Sequence, residues 1–313
     1  YQATRYIDTA IPHIPVTAHG LKENGYATIA TTNWLPYSWS INNVAFAEVM
    51  HTALSYFQAG RADAGYKLLK SSVLDGMYLG DSPGNFGQIS FYDAARGECY
   101  RDFGDPIGVA SRVLIQGLFG ILPDALNQQI ILRPGFPDDW DKASVSTPDI
   151  NYRFTRKEDT DTYHITQRFQ TPLHPVLHVN ARKEKIRSVK VNGVPATWQS
   201  IESAHGYPLL SIQAEGTSST TITIEWEGAP LHTLAVQEPV ITSNGKLALQ
   251  IPSGASISQV YDPQSVLANH TVEATAFNAQ IKGEPGHHTF FVYTHQGEMD
   301  WWQPVNIYIE NVW

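Results

Sequence analysis

At 313 residues the chain is long enough for two or three domains, and its formal net charge of -9 repels phosphate backbones and anionic membranes. It has no Lys/Arg run to offset that charge locally, so nucleic acid is excluded as an expected partner. Charged residues make up 16% and aromatics 11%, with 8 Trp and 15 Tyr, a balance that fits folded domains with wide aromatic surfaces and not disorder.

Residues 1–35 are rich in Thr, Ile and Pro, and alternations such as Ala27-Thr28-Ile29-Ala30 read as loop and short strand. Tyr1 reads as the middle of a domain, with no initiator Met or signal peptide, so an upstream segment is expected. From Phe46 the period changes. Phe46, Val49, Met50, Ala53, Leu54 and Phe57 form the stripe of a core-facing helix, which Asn43 can cap and Gly60 can end. Ala62, Tyr66, Leu69, Val73 and Met77 mark a second helix, close enough behind the first to predict an antiparallel hairpin. Between Asp81 and Gly104, four glycines among polar residues predict a long loop, the kind of segment where function concentrates. Asp105-Pro106 then opens a third helix, with Ile107, Ala110, Val113, Leu114 and Leu118 inward and Gly120 as its stop.

Beyond Pro137 the pattern turns to strands: Tyr163 to Phe169, Val176 to Asn180, Ser188 to Val191 entering the hairpin turn Asn192-Gly193, and Thr220 to Trp226. A break at Gly228-Ala229-Pro230 precedes strands at Lys246 to Ile251, Thr289 to Tyr293 and Val305 to Ile309. The expected domains are 1–143, largely helical; 144–229, a β-sandwich; and 230–313, a second β-rich domain. The single cysteine, Cys99, excludes an intrachain disulfide and cysteine-rich zinc sites. No apolar stretch reaches spanning length, so membrane insertion is not expected.

Asp105-Pro106-Ile107-Gly108 through Arg112, then Gly117-Leu118-Phe119-Gly120-Ile121, Pro123-Asp124, Arg133-Pro134-Gly135-Phe136-Pro137 and Trp140, resembles the end of the catalytic barrel in bacterial (Bacteroidetes-type) six-hairpin glycosidases. The run Trp34-Leu35-Pro36-Tyr37-Ser38-Trp39-Ser40-Ile41-Asn42-Asn43, with Glu48 and His51 after it, is similar to the same class. The resemblance implies an α+β multidomain chain: terminal helical hairpins of an (α/α)6 barrel followed by one or two antiparallel β-sandwich domains. It implies that an upstream part of the same polypeptide completes the barrel. It also implies a periplasmic or extracellular enzyme that hydrolyses O-glycosyl bonds in a plant or microbial polysaccharide side chain, with a carbohydrate substrate and no cofactor.

Glycoside hydrolysis needs one carboxylic acid to protonate the leaving oxygen and one carboxylate to activate water or attack. In the long loop, Arg96 and Arg101 neighbour Glu98 and Asp102, and guanidinium groups can hold a carboxylate ionised as a base. Glu98 and Asp102 are the catalytic candidates, the partner acid coming from upstream. The same alternating charges also read as a solvated ion-pair network anchoring the loop. Asp105 reads as a helix cap, and Glu48 either favours its helix dipole or points into the barrel mouth. Trp34, Tyr37 and Trp39 can form a stacking platform for a sugar ring, with Asn42, Asn43 and Arg101 hydrogen-bonding hydroxyls, or the two tryptophans can pack on the hairpin. Trp301-Trp302 reads as interdomain packing.

Other signals fail physically. Gly80-Asp81-Ser82-Pro83-Gly84 matches a nucleophile elbow, but Pro83 has no N–H for an oxyanion. His287 and His288 would point to opposite faces of a strand and cannot share a metal. No Walker loop or G-x-G-x-x-G fingerprint occurs. Two rival readings stand beside hydrolysis: a non-catalytic carbohydrate-binding or structural module, and a polysaccharide lyase using Tyr92, Tyr100 and Arg101.

Overall fold

Residues 1–23, 25–33, 43–79, 91–93, 98–100, 104–232 and 238–311 are described by the structure, a computed structural model. The chain divides into two units, Tyr1–Pro123 with Ile131–Trp140, and Asp124–Ile130 with Asp141–Trp313.

In the first unit, α1 spans Gln2–Ala10, α2 Phe46–Gln58, α3 Ala62–Val73 and α4 Asp105–Arg112. The predicted stripe of α2 is buried throughout, and α2 and α3 form the predicted hairpin around Gly60, whose φ of 73° closes the first helix. The cap differs from expectation. Ala45 occupies the N-cap position without a side-chain bond, and Asn43 lies two residues earlier. At the far end of α2, Phe57 lies against three glycines: a Cβ on Gly65, Gly117 or Gly135 would come within 3.0, 2.6 or 2.4 Å of its ring. Only glycine lets the backbone approach the ring this closely.

α1 replaces the expected loop. It buries Thr4 alone, so an apolar stripe does not hold it. Asp8 instead accepts hydrogen bonds from Arg61 Nη2 (2.7 Å) and the Tyr56 hydroxyl (2.5 Å), and the Arg61 guanidinium lies 4.8 Å from the Tyr56 ring centre. α3 and α4 each run into a π-helical turn, Leu74–Leu79 and Val113–Leu118. Ile107 and Leu114, expected inward, are exposed, and the buried face of this helix runs one position earlier through Pro106, Val113 and Gly117. Asp105 sits inside the first turn of α4 behind Gly104, so it makes no cap.

The expected fold class is corrected here. Strand accounts for 46% of the structure and helix for 21%, with four α-helices among the described residues. The chain is predominantly β-sheet, and among the described residues the one α2–α3 hairpin and two further short helices do not make the helical hairpins of an (α/α)6 barrel. The resemblance to six-hairpin glycosidases therefore falls with that fold. Its short Asp-Pro, Gly and Pro motifs are signals for helix starts and turns, which any helix-to-strand junction uses.

The second unit is built from sheets. An antiparallel six-stranded sheet runs in the order Val194–Pro195, Lys183–Val191, Ser219–Pro230, Thr160–Gln167, Ile150–Lys157, Lys142–Ser146. Another sheet carries Gln199–Ser200, Leu209–Gln213 and His174–Asn180 in that order. Strict alternation puts Tyr152, Phe154, Ile165, Ile222, Ile224 and Trp226 of the first sheet and Leu177, Leu210 and Ile212 of the second in the core, the pattern of a β-sandwich. The Asn192-Gly193 turn has φ of 51° and 79°, as this hairpin requires. Gly228-Ala229-Pro230 ends the longest strand of this sheet, Ser219–Pro230.

A second β lobe follows. Val240–Thr242 pairs in parallel with Met299–Glu310, which continues antiparallel through Gly286–Gln296 to Ala255–Tyr261. Lys246–Gln250, Ala276–Ile281 and Leu267–Glu273 form its other sheet. Phe277, Phe290, Val292, Val305 and Ile307 centre the core between them. The lobes join through main-chain bonds, Trp302 N to Ala204 O (2.8 Å) and Glu298 N to Glu184 O (2.7 Å). Buried Gln296 adds two more, donating to Pro230 O (3.0 Å) and accepting from His232 N (2.8 Å).

Candidate functional site

The hairpin Gly286–Gln296/Met299–Glu310 turns at Gly297, whose φ is 60°. Its register sets Phe291 opposite Pro304, Tyr293 opposite Trp302 and His295 opposite Asp300. Residues directly opposite share a face; Val292, Trp301, Gln303 and Val305 fill the other one, and on this one Phe291 is buried against His205 and Tyr261 while Tyr293 and Trp302 are half-buried. The neighbouring strand adds Tyr261 beside Phe291. The Trp302 ring centre lies 5.0 Å from Tyr293 and 6.2 Å from Tyr261, so three aromatic rings from three strands form one outer patch. Tyr261 is 54% exposed. Burial, then the charges of Asp300 and Glu202, push the Tyr293 hydroxyl up from its usual value.

A polar chain borders this patch. Ser258 is the extra residue of a β-bulge between Ile257 and Gln259, a device that re-aims a side chain. Its hydroxyl lies 2.7 Å from His295 Nε2, and His295 Nδ1 lies 2.5 Å from Asp300 Oδ1. The connectivity is that of an acyl-transfer triad, but the Asp300 carboxylate is 39% exposed and water-screened. In this setting the chain orients a hydroxyl, an imidazole and a carboxylate for hydrogen bonding at the edge of the rings.

No known family matches this chain. No curated protein matches it either. Among solved structures it is similar to the N-terminal eight Ig domains of Down Syndrome Cell Adhesion Molecule, at 10% identity and a TM-score of 0.18, over 53% of this chain and 28% of that one. It is also similar to the N-terminal periplasmic domain of ScsB from Proteus mirabilis, at 9% identity and a TM-score of 0.17, over 55% of this chain and 99% of that one. The gamma-CGTase of Alkalophilic bacillus clarkii matches at 7% identity and a TM-score of 0.17, over 80% of this chain and 36% of that one. Likenesses this slight assign no function.

Of the residues singled out from sequence, Trp34, Tyr37, Trp39, Asn42, Arg101 and Asp102 lie outside the described residues. Glu98 begins a short strand, Glu98–Tyr100, and pairs with Asp93 across an antiparallel ladder that Val44–Ala45 extends. Asn43 is fully buried, its main chain bonded to Thr31 by N to Oγ1 (3.4 Å) and by its carbonyl to Thr31 N (2.8 Å). Glu48 is exposed on the first turn of α2, at the rim of a cleft of about 160 Å³ that Tyr6, Ile11, Ile29 and Thr52 also line. His287 and His288 point apart, to Glu238 Oε1 (2.9 Å) and to Glu284 O (2.8 Å). Among the described residues no three His, Cys, Asp or Glu side chains gather as metal ligands, and no helix is long and apolar enough to cross a membrane.

Sequence reading missed Ser258, Tyr261, Tyr293, His295 and Asp300. The signal was present in the two-residue spacing of Phe291, Tyr293 and His295, followed by Gly297 and then Asp300, Trp302 and Pro304. It also missed Asp75, on the π-turn after α3, whose carboxyl burial pushes up to about 6. Between the ordinary value of 3.8 and about 6, the folded state holds a proton that the unfolded chain has released. Stability contributed here is therefore full below pH 3.8 and falls by about 2–3 kcal/mol as pH rises past 6. Denaturant melts at pH 4 and pH 7 check this: Asp75→Asn is expected to flatten that slope and to be the more stable protein at pH 7, and an unchanged slope would overturn the assignment.

Proposed function

We propose that this chain is a carbohydrate-binding protein whose second β lobe seats a neutral sugar ring on Tyr261, Tyr293 and Trp302. The observation that carries this reading is the outward aromatic patch bordered by the Ser258, His295 and Asp300 hydrogen-bond chain. Aromatic faces bury the apolar face of a sugar ring, and flanking polar groups exchange hydrogen bonds with its hydroxyls. The carboxylates of Asp300 and Glu202 near Tyr293 disfavour anionic ligands on this patch. Such a protein would meet polysaccharide in the periplasm or outside the cell.

A glycan array of neutral oligosaccharides, followed by titration calorimetry on the best binder, tests the reading. Removing one ring that covers roughly 60 Å² of sugar at about 25 cal/mol per Å² costs about 1.5 kcal/mol, near tenfold in Kd. Tyr261→Ala and Trp302→Ala are each expected to weaken binding by about that factor. Unchanged affinity in both variants, or no glycan bound, sinks the proposal.

Asp75 favours a second reading, hydrolysis of a glycosidic bond in a polysaccharide side chain. A carboxyl pushed up to about 6 is protonated enough near neutral pH to act as a general acid. Under this reading Glu98 or Asp102 supplies the ionised carboxylate. Turnover of released reducing sugar that survives both Asp75→Asn and the Glu98→Gln/Asp102→Asn pair would remove it.

A further inference from the structure

The outer face of the first lobe's large sheet has a chemistry opposite to that of the aromatic patch. Register sets Ser144 opposite Arg153, Arg153 opposite His164 and His164 opposite Thr221, and one step along it sets Ser146 opposite Asn151 and Asn151 opposite Thr166. Ser144, Ser146, Asn151, Arg153, His164 and Thr166 line an open groove of about 430 Å³ there. The lining is already ordered: Ser146 Oγ donates to Asn151 Oδ1 (2.6 Å), and His164 Nδ1 lies 2.9 Å from Thr221 Oγ1.

Charge then selects the ligand. On these three strands the outward positions carry Lys142, Arg153 and Lys157 and no carboxylate, since Asp161 faces the core. Among the described residues none of the three cations makes an ion pair, whereas Arg156, Arg182 and Lys183 of the same lobe are all paired. A chain of net charge -9 thus keeps Arg153 without an ion-pair partner beside a row of hydroxyls and an amide, while the outward carboxylates of the next strand, Glu225 and Glu227, are paired with Lys190 and Arg187. Backbone N–H groups of the two inner strands are committed to the ladder and those of the edge strand Lys142–Ser146 lie in the plane of the sheet, so the face of the groove offers side chains and no nest for a phosphate. A guanidinium in such a setting matches a carboxylate in bidentate fashion, and Ser, Thr and Asn match ring hydroxyls. Adjacent strands are spaced about 4.8 Å apart, comparable to the length of one sugar ring.

We propose that this groove binds an acidic oligosaccharide, a uronate-bearing chain, with Arg153 on a sugar carboxylate and Ser144, Ser146, Asn151 and Thr166 on hydroxyls. The groove stands on its own lining and does not depend on the aromatic patch.

Titration calorimetry of the full chain with tri-galacturonate and with its methyl ester, at low salt, tests it. The acid is expected to bind at least tenfold more tightly than the ester. Measured in the Tyr261→Ala background, which removes the aromatic patch as a seat for the neutral ester, Arg153→Ala is expected to abolish that difference and Arg153→Lys to keep part of it. Arg153 is exposed, so an unchanged melting midpoint will show that Arg153→Ala still folds. Equal binding of acid and ester, full affinity in Arg153→Ala, or no binding of the acid overturns the groove. Loss of tri-galacturonate binding in Tyr261→Ala alone also overturns it, by moving the ligand to the aromatic patch.

Discussion

Asp161→Ala is expected to destabilise the second unit by about 3–5 kcal/mol. Its carboxylate is 1% exposed and accepts from Arg156 Nε (2.9 Å), Arg182 Nη1 (3.0 Å) and the Trp226 indole N–H (3.1 Å). Removing it leaves two guanidinium groups facing each other and a buried indole N–H without an acceptor, each of which carries a desolvation cost. Arg182 also donates to Glu158 O (3.1 Å), which ties the same cluster to the Glu158 turn, where φ is 53°. Both arginines retain about a quarter of their exposure, so part of their charge can turn to water and the loss belongs at the lower end of that range. Asp161→Asn keeps the shape and one acceptor and is expected to lose about half as much. Guanidinium chloride unfolding followed by tryptophan fluorescence measures this as a shift in midpoint at constant slope. A loss under about 1 kcal/mol for the alanine variant would mean that the cluster is solvated and contributes little.

Phe57→Ala is expected to cost the first unit about 3–5 kcal/mol, because the ring fills the space that Gly65, Gly117 and Gly135 leave open. The complementary variant, Gly135→Ala, puts a Cβ 2.4 Å from that ring and is expected to cost about 1–3 kcal/mol by overpacking. The two are expected not to add. With the ring gone, the methyl of Gly135→Ala loses its closest clash and keeps the 2.9 Å approach to Gly117 O, so the double variant should cost less than the two single ones summed. Hydrogen exchange across α2 measures the three proteins, and strict additivity would mean that the glycines are not there for the ring.

How much of this was legible depended on whether a signal was local. The α2 stripe and Gly60 could be read because a helix face is a property of one segment. The Asn192-Gly193 hairpin could be read because its positive φ values suit those two residues. α1 could not, since its burial is slight and its hold comes from Asp8 meeting Arg61 and Tyr56 about fifty residues away. The π-turns were equally silent, and so was the choice of face in α4, where the buried stripe passes through Pro106, Val113 and Gly117 and leaves Ile107 and Leu114 outside. The barrel expectation failed for a related reason: its motifs describe how a helix starts and a turn closes, and say nothing about how many hairpins follow.

From residue order alone came the alternation that divides each strand into an inner and an outer face, and with it the aromatic and basic character of the outer positions. Which strands become neighbours was decided only in three dimensions. Ser258 meets His295 across 37 positions of sequence, and Arg153 meets His164 across an antiparallel pair, because long-range ladder bonds and a shared core choose the register. A two-residue period sets which way a side chain points, while strand pairing sets what it meets there.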